Sequence, residues 1–159
     1  MPIFGKPPVD PATIAGEIIS AVRRTGDIRP TGKWTKTVKN VLRGCAEGHY
    51  AVYPNRSGKG EWLLDVDWLS KRKGVIHLAV ESEWKNKDHV WDDFQKLLCT
   101  KAPLKIMIYY ASKRSLVGWL AKWMKPFDHH VRGEHYLLVE FAPGPADRAY
   151  LYTVQATDA

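Results

Sequence analysis

From Glu61 to Trp84 the chain alternates polar and apolar residues in two runs, separated by Ser70-Lys71-Arg72-Lys73-Gly74. A period of two fits a pleated strand and not a helix. In the first run Trp62, Leu64, Val66 and Trp68 share one face, and Glu61, Leu63, Asp65 and Asp67 the other. In the second run Ile76, Leu78 and Val80 oppose His77, Ala79, Glu81 and Glu83. A short turn between such runs makes an antiparallel hairpin. If it closes with Leu69 opposite Val75, Asp65 faces Ala79 and becomes a diagonal neighbour of Glu81. Asp67 lies nearer the turn. Three or four carboxylates then crowd one patch of sheet, and their repulsion at neutral pH calls for a compensating cation. Alternating acids are also the ordinary solvent face of a half-buried sheet, here with Lys71, Arg72, Lys85 or Lys87 as partners.

The flanking segments supply the rest of an α/β pattern. Residues 1–10 are proline-rich and read as a loose lead, and residues 11–159 read as one domain. Asp10 caps a first helix that starts at Pro11, with Ile14, Ile18, Ile19 and Val22 at helical spacing and Gly26 as its stop. Thr35 caps a second, with Val38, Val41 and Leu42 inward. Tyr50 to Tyr53 is a short strand. Asp88 caps a helix to about Thr100, with Trp91, Phe94, Leu97 and Leu98 as its buried stripe. Leu104 to Tyr110 suits a strand buried on both faces. A helix from Ser112 or Ser115 carries Leu116, Trp119, Leu120 and Trp123, and two strands follow, Tyr136–Phe141 and Ala149–Gln155. This order predicts a mixed sheet flanked by helices.

Leu64-Asp65-Val66-Asp67, then Ile76 through Asp88 with Glu81-Ser82-Glu83-Trp84-Lys85-Asn86-Lys87, then a helix with Asp92-Asp93-Phe94-Gln95-Lys96, resembles the core of the PD-(D/E)XK nuclease superfamily. The likeness covers roughly residues 61–110 and is strongest to restriction enzymes that use E-x-E in place of E-x-K. It implies a restriction-endonuclease-like fold and metal-dependent hydrolysis of DNA phosphodiesters with Mg²⁺ or Mn²⁺. It further implies Asp65 and Glu81 as metal ligands and Glu83 at the third motif position, with Glu17 on the first helix as a further acid. Leu64 stands where the family has proline. Glu83-Trp84-Lys85 offers a second register, a literal E-x-K with Lys85 as the lysine, and Lys96 is another source of it. A nucleic-acid-binding module without hydrolysis is the alternative on the same fold, and a double-strand cutter of this kind implies a homodimer.

Charge agrees with a polyanionic partner. The net charge is +7, and Arg23, Arg24, Arg29, Lys33, Lys36, Lys39 and Arg43 stand against Asp27 alone. Arg23, Arg24, Lys33, Lys36, Lys39 and Arg43 are therefore the expected nucleic-acid contacts. No apolar run is long enough to span a bilayer. Cys45 and Cys99 lack CxxC spacing and read as buried small hydrophobes in a reduced, cytoplasmic setting. His77 shares the acidic face, and Asp128-His129-His130 reads as a polar turn.

Overall fold

The computed structural model describes residues 4–54, 63–71, 74–144 and 146–155. Glu61 and Trp62 of the hairpin, and Arg72 and Lys73 of its turn, lie outside the described residues. The described residues form α1 (Pro11–Arg23), α2 (Gly32–Ala46), β1 (Ala51–Tyr53), β2 (Val66–Leu69), β3 (Ile76–Glu83), α3 (Lys87–Cys99), β4 (Leu104–Tyr110), α4 (Val117–Met124), β5 (His135–Phe141) and β6 (Arg148–Thr153). The strands make one six-stranded sheet in sequence order. β1, β2 and β3 are an antiparallel meander, β3, β4 and β5 are parallel, and β6 returns antiparallel to β5. No helix among the described residues is long and apolar enough to cross a membrane.

Each sheet face carries its own core. α1 and α2 bury Ile14, Ile18, Trp34, Val38 and Leu42 against Val66, Trp68, Leu78, Val80, Ile106 and Val139. α3 and α4 bury Val90, Phe94, Leu97, Leu120 and Met124 against Ala79, Met107, Tyr109, Tyr136 and Leu138. β4 is buried on both sides from Leu104 to Tyr109, as its apolar run predicts.

The helix starts differ from the expected caps. Thr31, not Thr35, caps α2 through its hydroxyl, and Asn86, not Asp88, caps α3 by accepting from the Asp88 and His89 amides. Thr35 instead accepts the Trp84 indole N–H at 2.9 Å, tying the start of α2 to the carboxyl end of β3. Trp123 is 51% exposed, so the inward stripe of α4 is Leu120, Ala121 and Met124. From Phe4 on the lead makes contacts with the domain. The Phe4 amide donates to the Arg132 carbonyl at 3.0 Å, and Val9 packs on the first core. Gly133, at φ +85, makes room for this, since a Cβ there would lie 2.4 Å from the Phe4 carbonyl oxygen.

The hairpin closes in another register. Asp67 pairs with Ala79, Trp68 with Leu78 and Leu69 with Ile76, so the ladder skips His77. Relative to the expected pairing, Asp67 takes the place opposite Ala79 that Asp65 was expected to fill. The irregularity at His77 turns its ring onto Tyr50, 5.1 Å between centroids, and away from the acids it was expected to join. β2 starts only at Val66. Leu64 therefore leaves the face of Val66 and Trp68 and packs with Ala79 in the second core.

A candidate acidic site between the hairpin and the third helix

On the face covered by α3, the pairing sets side chains in rows across the sheet. One row runs Asp67, Ala79, Lys105, Tyr136, and the next runs Glu81, Met107, Leu138. Glu81 thus points into the layer where α3 packs, and it is 1% exposed. Asp65 precedes β2, and its Oδ2 accepts the Ser82 amide and the Ser82 hydroxyl, each at 2.8 Å. These two bonds place the Asp65 carboxylate beside Glu81 without a ladder pairing. The two acids named first from the sequence are therefore brought together, by a different contact from the diagonal expected.

α3 adds residues from above. Phe94 and Leu97 bury its stripe, which leaves Asp93 and Lys96 at the boundary facing Glu81. Lys96 Nζ lies 2.7 Å from Asp93 Oδ1 and 3.3 Å from Glu81 Oε1. The cluster so formed has three carboxylates, Asp65, Glu81 and Asp93, for one ammonium. Burial, reinforced by the charges of Asp65 and Asp93 and opposed by Lys96, pushes the Glu81 carboxyl up to about 8. Burial also raises the Asp93 carboxyl against the pull of Lys96. For Lys96 burial works the other way, but Asp93 and Glu81 outweigh it and hold the ammonium above its ordinary pKa. Asp67, one row away and 2% exposed, is pushed up to about 6 by burial alone.

The residues at the third motif position separate. The Glu83 carboxylate is folded back on its own backbone, accepting the Trp84 and Lys85 amides at 2.8 Å each, though its charge still reaches Asp93. Lys85 is exposed. Lys96, on the helix, is the lysine that reaches Glu81. Asp93 was not singled out from the sequence. Its signal was there, because the helix after the hairpin must lay its apolar stripe on the face that carries Glu81. That sets the flanking pair, spaced i and i+3, over the acids.

Glu17 is not brought to this cluster. It is exposed on α1, against the other sheet face, where its carboxylate accepts the Cys45 thiol at 3.0 Å. Burial and Glu17 push that thiol up to about 12, so Cys45 is no nucleophile at neutral pH. The shallow concavity around it, about 780 Å³ between α1 and α2, therefore holds no activated group. Cys45 is only half-buried and Cys99 is exposed, so neither is the buried residue expected.

The basic stretch also divides. Arg23 is committed to Asp147, with Nε 2.6 Å from Oδ2 and the guanidinium over Trp34 and Phe141. Arg43 donates to the Pro54 carbonyl at 3.3 Å, and Lys39 is half-buried. Arg24, Lys33 and Lys36 are exposed. Five of the six lie on α1 and α2, and Arg24 is the C-cap of α1, so all belong to the layer opposite α3. His130 is buried, not in an exposed turn, and its Nε2 donates to the Met124 carbonyl at 2.7 Å.

All-oxygen donors suit a hard divalent cation, which binds through one or two carboxylates together with waters and substrate oxygens. Glu81 Oε1 fits that description, being buried with only the Lys96 ammonium, 3.3 Å away, as its partner among the described residues. Among the described residues, however, no three His, Cys, Asp or Glu side chains are grouped to hold a metal ion. The protein itself thus offers two carboxylates, Glu81, with Lys96 as its present counter-charge, and Asp65, held by Ser82. No family model, curated protein or solved structure matches the chain.

Proposed function

We propose that the protein is a metal-dependent DNA endonuclease of PD-(D/E)XK type, with Asp65 and Glu81 as the ligands of Mg²⁺ or Mn²⁺. The observation that carries this reading is the buried Glu81 carboxylate beside Asp65, with a lysine from the next helix 3.3 Å away. A hairpin, then a helix, then a strand buried on both faces supports it in the order the resemblance implies. The bound cation would polarise the phosphodiester and activate a water. Asp65 is oriented for its part by Ser82. Lys96, rather than Lys85 or Glu83, takes the lysine role, since its ammonium is the one that reaches Glu81. It holds its proton and supplies positive charge where negative charge grows on the phosphate. Glu83 supports the turn into α3 through the Trp84 and Lys85 amides.

Supercoiled plasmid incubated with Mg²⁺ or Mn²⁺ tests the reading. Wild type is expected to nick or linearise it, and Glu81→Ala and Asp65→Ala are expected not to. Equal behaviour of all three proteins sinks the proposal. A second reading, a nucleic-acid-binding module without hydrolysis, draws on the grouping of only two carboxylates with a lysine already between Glu81 and Asp93. It predicts salt-sensitive DNA binding and no metal-dependent cutting.

A further inference from the structure

Beyond the acid cluster, the loops that leave β3 and β4 enclose a second feature. A cleft of about 320 Å³ lies between Lys85-Asn86-Lys87 on one wall and the segment from Tyr110 to Arg114 on the other. These are the carboxyl ends of neighbouring parallel strands, the usual place for ligands in open α/β sheets. Four cations line the cleft, Lys85, Lys87, Lys113 and Arg114, and no acid does. Lys85, Lys113 and Arg114 are exposed and have no ion-pair partner among the described residues. Lys87 is held by the Trp119 ring, 4.1 Å from its centroid, which keeps its charge at the rim.

Helix amides are not what makes the cleft positive. Asn86 already accepts the first free amides of α3, and Glu140 and Ser115 accept those of Leu116 and Val117 at the start of α4. The charge comes from side chains on both walls. Their mutual repulsion is relieved by an anion between them, and lysines acting as point charges beside the guanidinium fork of Arg114 suit a phosphate.

We infer that this cleft binds a backbone phosphate of the DNA strand, next to the acid cluster, a site that rests on the endonuclease reading. Glu83 connects the two, because the amides that hold its carboxylate are those of Trp84 and Lys85 at the entrance. Lys85 lies four positions after Glu81, at most roughly 13 Å of extended chain.

The test is fluorescence anisotropy of a labelled DNA duplex in EDTA, over a series of KCl concentrations. The proteins are wild type, Lys113→Ala/Arg114→Ala, the charge-keeping Lys113→Arg/Arg114→Lys, and Lys33→Ala/Lys36→Ala. The cleft predicts that Lys113→Ala/Arg114→Ala binds more weakly, with a log–log salt slope shallower by about 1, and that the charge-keeping variant matches wild type. Unchanged affinity and slope in Lys113→Ala/Arg114→Ala overturn the inference. So does an absence of DNA binding by wild type. Cleavage is scored separately. Loss of binding in the cleft variant without metal-dependent cutting by wild type leaves the cleft standing and the endonuclease reading lost. Cutting by wild type with undiminished binding in the cleft variant does the reverse.

Discussion

Two clusters of charge sit on the same face of the sheet and are handled in opposite ways. At the foot of β4 and β5, Lys105 and Glu134 form an ion pair 3.0 Å apart with both side chains fully buried. Tyr136 accepts from Lys105 at 2.8 Å and donates to Glu134 at 3.3 Å, and His130 Nδ1 lies 3.5 Å from Glu134. Each charge there has its opposite. On β3, the strand next to β4, Glu81 and Asp93 share Lys96, which is one-third exposed, with Asp65 beside them. The balanced cluster is closed by its own partners. The unbalanced one holds a carboxylate near neutral pH as an acid, and it is the one on which the proposed function draws. Burial of charge therefore does not mark the candidate site in this protein, whereas imbalance does.

Breaking the balanced cluster is expected to cost most. Lys105→Met leaves Glu134 buried without its counter-ion and should destabilise by about 3–5 kcal/mol in urea denaturation. Lys105→Met/Glu134→Gln should recover most of that loss. The pair also sets a pH signature. Burial lowers Lys105 from 10.5 to about 8, against the pull of Glu134, so the unfolded chain binds that proton more tightly. Stability contributed here should rise with pH between those values, and the double variant should lose that rise.

The unbalanced cluster should respond with the opposite sign. Glu81 is raised from 4.5 to about 8, so its share of stability is full below pH 4.5 and is lost as pH rises through 8. Glu81→Gln should stabilise the metal-free protein by on the order of 2–4 kcal/mol above pH 8 and by almost nothing at pH 4. Thermal melts at the two pH values decide it, and a stability loss at high pH would remove the claim of imbalance. Lys96→Met should have a smaller effect, about 1 kcal/mol of destabilisation, because the lysine is partly solvated. Mg²⁺ should then raise the melting temperature of this variant more than that of wild type. Lys85→Ala should change stability by less than about 0.5 kcal/mol. If Lys85→Ala rather than Lys96→Met abolished cleavage, the E-x-K register on β3 would be the correct one.

Much of the fold was legible because it follows from periodicity. The hairpin, α3 and the double-sided burial of β4 can be read from alternation, from Phe94, Leu97 and Leu98, and from the run Leu104 to Tyr110. The site was legible in part. Two residues of spacing put Glu81 and Glu83 on one side of a strand, but spacing cannot say that Glu83 bends back onto two amides. Lys105 was hidden inside an apolar run, since its partner Glu134 is distant in sequence and meets it only when β4 pairs with β5.

The sequence by itself determined that Glu81 and Glu83 would leave one side of a strand, because strand period is a local property. Tertiary structure decided which acids meet. A register irregularity at His77 and the late start of β2 removed the expected diagonal, and Ser82 recovered Asp65 by another route. The packing of Phe94 and Leu97 brought Asp93 and Lys96 over Glu81, and the opposite layer took Glu17 away. These outcomes turn on hydrogen bonds and burial between segments far apart in the chain, where no period in the sequence reaches.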